Sequence, residues 1–215
     1  MKEIKSIDDE LIIDYRYIIN NVPILYKYFD FTIGSKVLND FSLKITHPND
    51  FNDPFDCYKG LIDFSNPPDD FLRYIHQNIN PNLNRSEIRT KVKETKKNKQ
   101  YYNFLKKKYH EEMIQNYRVA CFSERFDDIL MWSHYSKDHK GLCIGFDQRK
   151  LYEYLQSLFF EMSMFKVRYV EQIECLDYYK EKKRAFINWI RTKSIKWIYE
   201  DEIRFIFEIN KTKKA

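Results

Sequence analysis

Glycine and proline are scarce, with 4 Gly and 6 Pro in 215 residues, which excludes collagen-like, linker-rich and generally disordered chains. The Walker and dinucleotide-binding glycine fingerprints are absent, and so is the G-x-S-x-G turn of a serine hydrolase. Cys57, Cys121, Cys143 and Cys175 are widely separated, with no C-x-x-C or H-E-x-x-H spacing. Reduced thiols are therefore expected rather than a disulfide scaffold or a zinc site, and no metal is predicted. No apolar run approaches about 18 residues, so a membrane span is not expected. The start carries no signal-peptide pattern, and the expected location is the cytoplasm.

What is present is core material: 43% of residues are hydrophobic and 17% aromatic, including 17 Phe and 17 Tyr. The alternation of strand-like and helical segments predicts an α+β fold over 1–215, a single domain with a mixed or antiparallel sheet core. Residues 22–68 supply N-terminal strands and an ordered Asn/Asp-Pro loop. Residues 69–118 form a basic helical insertion, and 119–210 complete the core. The formal charge of +5 comes largely from lysine runs. Between Arg85 and Glu112 there are ten Lys or Arg against four Asp or Glu, interleaved with Tyr101, Tyr102 and Tyr109. RNA or DNA is a candidate partner for that segment, although helix-to-core packing explains the same aromatic spacing.

Residues 12–19 read as a short helix or a strand. After Pro23, ILYKYFDF reads as a strand placing Tyr26 and Tyr28 on one face and Lys27 on the other. A short helix over 34–41 and a small strand over 43–46 follow. In THPNDFNDPFD, the Asn and Asp side chains can bond nearby backbone, with Phe51 and Phe55 fastening the loop to an apolar surface. A helix is predicted over 69–79, and a long one from a Ser86 cap through Ile88, Val92, Tyr102, Leu105, Tyr109 and Met113. Residues 177–195 read as mainly helical. In WIYEDEIRFIFEI the alternation places Trp197, Tyr199, Ile203, Phe205, Phe207 and Ile209 inward, with Glu200, Glu202 and Arg204 on the other side; Asp201 breaks the pattern. A basic tail from Lys211 is expected to fray.

The densest polar stretch is CFSERFDDILMWSHYSKDHKGLCIGFD, residues 121–147. Ser123 ends a strand, Asp127 or Asp128 caps a short helix through Trp132, His134 and Tyr135, and Gly145 sits in a second strand, admitting a ligand or relieving crowding. Trp132 can stack on a ring and His134 can move a proton near neutral pH, or each can be a packed polar residue. Glu200 and Glu202 at i and i+2 can form an acid/base pair, with Arg204 holding a carboxylate or phosphate; a surface ion-pair strand is the plainer alternative.

Together, LYKYFDF, THPNDFNDPFD, the 121–147 motif and KWIYEDEIRF resemble the bacterial domain of unknown function 2971, over most of residues 25–207. A more distant resemblance is to ADP-ribosyltransferase-like folds, in which an early strand, a middle strand and a late catalytic Glu surround NAD. That resemblance implies catalytic roles for Glu202, Glu200, Ser123 and His134. It implies contacts to NAD from Tyr26, Lys27, Tyr28, Ser123, Trp132, His134 and Tyr135, and a nucleic-acid or protein acceptor, as in a toxin or phage-defence effector. The alternatives are a noncatalytic nucleic-acid-binding module and an RNA-directed nuclease.

Overall fold

The computed structural model describes residues 6–159 and 161–209, so the tail from Lys211 lies outside the described residues. In chain order, the first half comprises α1 (Ile7–Asn21), β1 (Ile24–Phe29), α2 (Phe31–Asp40), β2 (Ile62–Asp63), α3 (Asp69–Ile79), α4 (Arg85–Lys97) and α5 (Lys99–Gln115). The second comprises β3 (Tyr117–Ser123), α6 (Ile129–Tyr135), β4 (Leu142–Asp147), α7 (Gln148–Leu158), β5 (Met162–Lys166), β6 (Arg168–Val170), β7 (Leu176–Asp177), α8 (Lys182–Arg191), β8 (Thr192–Ser194) and β9 (Glu202–Glu208). The fold is α+β, with antiparallel and parallel strand pairs. The chain divides into two units: residues 1–58, 116–173 and 190–215 form the first, and 59–115 with 174–189 the second.

The first unit is built on a five-stranded antiparallel sheet in the order β4-β1-β3-β9-β5. One face is apolar because alternation on β3 and β9 sends Phe122, Ile203, Phe205 and Phe207 the same way, against Ile18 of α1 and Leu155 of α7. The opposite face carries Cys121 and Ser123 across from Arg204 and Glu202. β3 and β9 pair over seven rungs, whereas β1 and β3 meet at one, Tyr26 with Ser123. Where they part, the Lys27 ammonium lies 5.3 Å from the centre of the Phe122 ring and donates to the Cys121 carbonyl at 2.6 Å. That satisfies a carbonyl at the split.

One alternative is decided within this unit and three expectations change. Residues 12–19 belong to helix α1, capped by Ser6. The small strand over 43–46 reduces to one bridge, Thr46 with Val119. Phe55 does not fasten its loop, being 64% exposed, while Asp53 and Asp56 of that loop are buried. The period-two run through 197–209 is a strand only from Glu202: residues 195–200 form a 3-10 helix that ends at Asp201, whose φ of 43° is left-handed. Trp197 and Tyr199 are thus not strand residues facing the core. The left-handed residue resets the backbone between the two forms, which is why Asp201 interrupts the alternation.

Two glycines answer to close packing. A Cβ on Gly141 would lie 2.0 Å from the Phe29 carbonyl oxygen, leaving no room for any side chain. Gly145 clears the Tyr26 ring and Ile24, so it relieves crowding.

The second unit packs α3, α4 and α5 around Leu72, Ile75, Ile88, Val92 and Leu105. Phe71, Leu72 and Ile75 turn inward as their spacing predicts. The predicted long helix is two. Asn84, not Ser86, caps α4, because its side chain accepts from the Ser86 and Glu87 amides while Glu87 reaches back to the Asn84 amide. Asn98 then breaks the run, accepting from the Tyr101 amide to start α5. Residues 177–195 hold a shorter helix than expected, α8, flanked by β7 and β8.

Candidate active site in the first unit

A cleft of about 280 Å³ opens on the polar face of the sheet. β1 supplies Tyr26, Lys27 and Tyr28, β3 supplies Cys121 and Ser123, and α6 supplies Met131 and Tyr135. The 47–58 loop adds Phe51, Asn52 and Asp56, and the remaining wall carries Lys44, Lys193, Glu200 and Glu202. Local rules set these positions. Asp128 caps α6 by accepting from the Leu130 and Met131 amides, which fixes the phase of Tyr135. The His47 ring accepts from the Asn49 amide, and Asp53 accepts from the Phe55 amide, shaping the loop that presents Asp56. Parallel pairing of β6 with β8 sets Lys193 opposite Tyr169, whose hydroxyl accepts the Glu202 amide at 2.9 Å.

The floor is a buried charge network. Lys193 donates to Glu200 at 2.5 Å and to Glu202 at 3.3 Å, and lies 3.5 Å from Asp56. Arg204, fully buried, donates to both Glu202 oxygens at 2.7 and 3.1 Å, to Asp56 at 2.9 Å and to the Ile190 carbonyl at 2.8 Å. Charges this deep persist only when paired and hydrogen-bonded. Tyr135 donates to the second Glu200 oxygen at 2.6 Å and accepts from Asn52 at 3.1 Å.

These surroundings separate the two glutamates. Burial, and then the Glu202 charge, raise Glu200 to about 7, against the opposing pull of Lys193 and the Tyr135 hydrogen bond. For Glu202, burial also opposes ionisation, yet Arg204 and Lys193 overcome it and hold the carboxyl well below the usual carboxylate range. Lys193 is raised, since Glu202, Asp56 and Glu200 outweigh its burial. Burial pushes the Cys121 thiol up, reinforced by Glu202, so it is protonated and a poor nucleophile. Lys27 is lowered by burial.

Of the residues expected at the site, Tyr26, Lys27, Tyr28, Ser123, Tyr135, Glu200 and Glu202 line one cleft. Trp132 and His134 are not among its lining residues. Trp132 presents an edge to Tyr28 at 5.4 Å and donates its indole N–H to the Phe126 carbonyl. His134 is exposed against Trp197 and Tyr199. Ser123 is 1% exposed, and its Oγ accepts the Arg125 amide at 3.0 Å, shaping the chain after β3. Arg204 holds the protein's own carboxylates. The glutamates are buried, so the surface ion-pair alternative does not apply.

Lys193 and Asp56 were not legible as site residues. Lys193 lies in a stretch that reads as helical, and Asp56 is the last of several acids in a loop whose local bonds account for such residues. Their common signal is spatial. Among the described residues, no group of three or more His, Cys, Asp or Glu side chains is placed to hold a metal ion. The three acids of the floor enclose cations supplied by the chain itself.

No curated protein and no solved structure matches the chain. Residues 131–205, which carry Tyr135, Lys193, Glu200, Glu202 and Arg204, match the family described as "Protein of unknown function (DUF2971)".

Proposed function

We propose that the cleft is the active site of an NAD-dependent ADP-ribosyltransferase. The observation that carries this reading is the meeting of three strands at one place: β1 brings Tyr26 and Tyr28, β3 brings Ser123, and the start of β9 brings Glu202 beside Glu200. The cleft is near the lower end of the usual range for ligand sites, about 300–1,000 Å³, and suits the nicotinamide and ribose of NAD rather than the whole dinucleotide. Tyr26, backed by Phe126 at 5.2 Å between ring centres, offers an aromatic wall. Lys27 and Lys44 supply positive charge for phosphate oxygens.

In this reading the glycosidic bond at C1′ of the ribose breaks, and nicotinamide leaves with the bonding pair. C1′ takes a new pair from an acceptor oxygen or nitrogen, whose proton passes to Glu200. Glu200 suits that task because its pKa of about 7 lies near the working pH. Glu202, whose two oxygens are engaged by Arg204 and Lys193, positions those cations and keeps negative charge beside the reacting carbon.

The test is incubation with NAD labelled in its nicotinamide ring, together with cellular protein and nucleic acid. Release of nicotinamide, and its loss in Glu200→Gln, is the expected result. Absence of both NAD binding and nicotinamide release overturns the reading.

A further inference from the structure

The second unit carries the positive charge of the chain: its residues include sixteen Lys or Arg against ten Asp or Glu, a net of +6, where the whole sequence has +5. Much of this is neutralised locally. Lys91 pairs with Glu94 at 3.1 Å, Lys107 with Glu111 and Lys108 with Glu112 at 3.7 Å, and Lys96 with Asp69. Lys106 donates to Ser65. Four cations of α4 differ. Arg85, Arg89, Lys93 and Lys97 are exposed, and none has an acidic or hydrogen-bonded partner among the described residues. They recur every fourth residue, so they form one stripe with about 6 Å between neighbours along the helix axis. Ile88, Val92 and Thr95 are the buried residues of α4, and all four cations of the stripe are exposed beside them.

A second feature lies just beyond the end of that stripe in sequence. Buried His76, hydrogen-bonded to Thr95, stacks on Tyr101 at 6.5 Å and 21°. Tyr101 stacks on Phe104 at 6.3 Å and 25°. The outermost ring, Phe104, is 58% exposed, and Tyr74 of α3 is 65% exposed. A ladder of nearly parallel rings ending at an open face is a platform on which one more planar ring can stack.

We propose that α4 and the start of α5 bind single-stranded nucleic acid, with the α4 stripe tracking phosphates and Phe104 stacking an unpaired base. Unpaired cations at regular spacing beside an exposed ring match the two chemistries of such a strand, its charged backbone and its accessible base faces. A duplex hides those base faces, so the ring favours a single strand. This inference is independent of the cleft of the first unit and of NAD.

The experiment is anisotropy titration of the full chain with fluorescent single-stranded RNA and DNA of about 20 nucleotides, the corresponding duplexes, and phosphatidylserine vesicles. Single strands are expected to bind best, with log K falling against log salt at a slope of about −3 for four phosphate contacts. Replacing Arg85, Arg89, Lys93 and Lys97 by Gln should flatten that slope, whereas replacing the paired Lys91, Lys107 and Lys108 should change it little. Phe104→Ala should weaken single-strand binding about tenfold and spare residual duplex binding. Thermal melts of each variant verify folding. If the quadruple variant unfolds, the wild-type slope and Phe104→Ala still decide. No binding to single strands, equal binding to duplexes, binding to vesicles alone, or equal losses from the two lysine sets would each overturn the inference.

Discussion

Glu200 and Glu202 share one ammonium: Lys193 Nζ lies 2.5 Å from the first carboxylate and 3.3 Å from the second. Burial raises Glu200, whereas at Glu202 the same burial is overcome by Arg204, which bonds that glutamate and not its neighbour, so the two pKa values move in opposite directions. One acid therefore titrates near neutrality beside another that stays ionised.

Nicotinamide release should fall as the pH drops below about 7, because protonated Glu200 cannot accept the acceptor's proton. Glu200→Gln should lower the rate about 100- to 10,000-fold and abolish this acid limb. Initial rates between pH 5 and 9 check both. A limb unchanged in the variant would assign the titration to another group.

Tyr135→Phe should move the limb the other way, toward higher pH. The Tyr135 hydrogen bond favours the ionised form of Glu200, so its loss leaves the carboxyl harder to ionise. The phenyl ring keeps the packing, so a shifted limb with an unchanged melting temperature separates this effect from loss of structure.

The same proton enters folding. Glu200 has a folded pKa above its unfolded value of 4.5, so between about 4.5 and 7 the folded chain holds a proton that the unfolded chain has released. Stability due to this group is complete below that window and is lost as pH rises through it. Glu202 has the opposite sign: its contribution is present above 4.5 and disappears in acid. Urea midpoints of the wild type should fall relative to Glu200→Gln from pH 5 to pH 8; a constant gap would refute the shift.

Arg204→Ala should destabilise the protein by about 3–5 kcal/mol, since it leaves buried Asp56 and Glu202 with Lys193 as their one shared cation. Adding Asp56→Asn should recover part of the loss. Chemical denaturation of the single and double variants measures the coupling, and strictly additive effects would contradict it.

Gly141→Ala should cost well over 1 kcal/mol, because its Cβ would meet the Phe29 backbone, which cannot retreat. Gly34→Ala should cost less: the nearest atoms there, Leu142 Cδ1 at 2.8 Å and Cβ at 3.1 Å, belong to a side chain and not to backbone, and the closer one can rotate away. Melting temperatures of the two variants give the comparison.

The strands of the sheet were legible where one face is buried, since Phe122, Ile203, Phe205 and Phe207 impose a period of two. Asp128, Tyr135, Ser123 and the late glutamates were legible from their local spacing. The break at Asn98 was missed because apolar spacing continues across it from Val92 to Leu105. At Asp201 the interruption is legible but the turn is not, because its left-handed backbone is carried by a residue other than glycine. The ion network was invisible for a different reason. Asp56 and Arg204 stand 148 positions apart, and no local rule of charge spacing links them.

The lone rung between Tyr26 and Ser123 gives the sheet a mechanical seam. On one side β1 and β4 pair over six rungs, and on the other β3 and β9 pair over seven. Between the two ribbons side chains take over from the ladder: Lys27 reaches the Cys121 carbonyl, the Tyr28 hydroxyl donates to the Arg125 carbonyl, and the Phe122 ring meets that of Phe146. Amide exchange along the β3-facing edge of β1 should be fast beside the protected cores of the two ribbons.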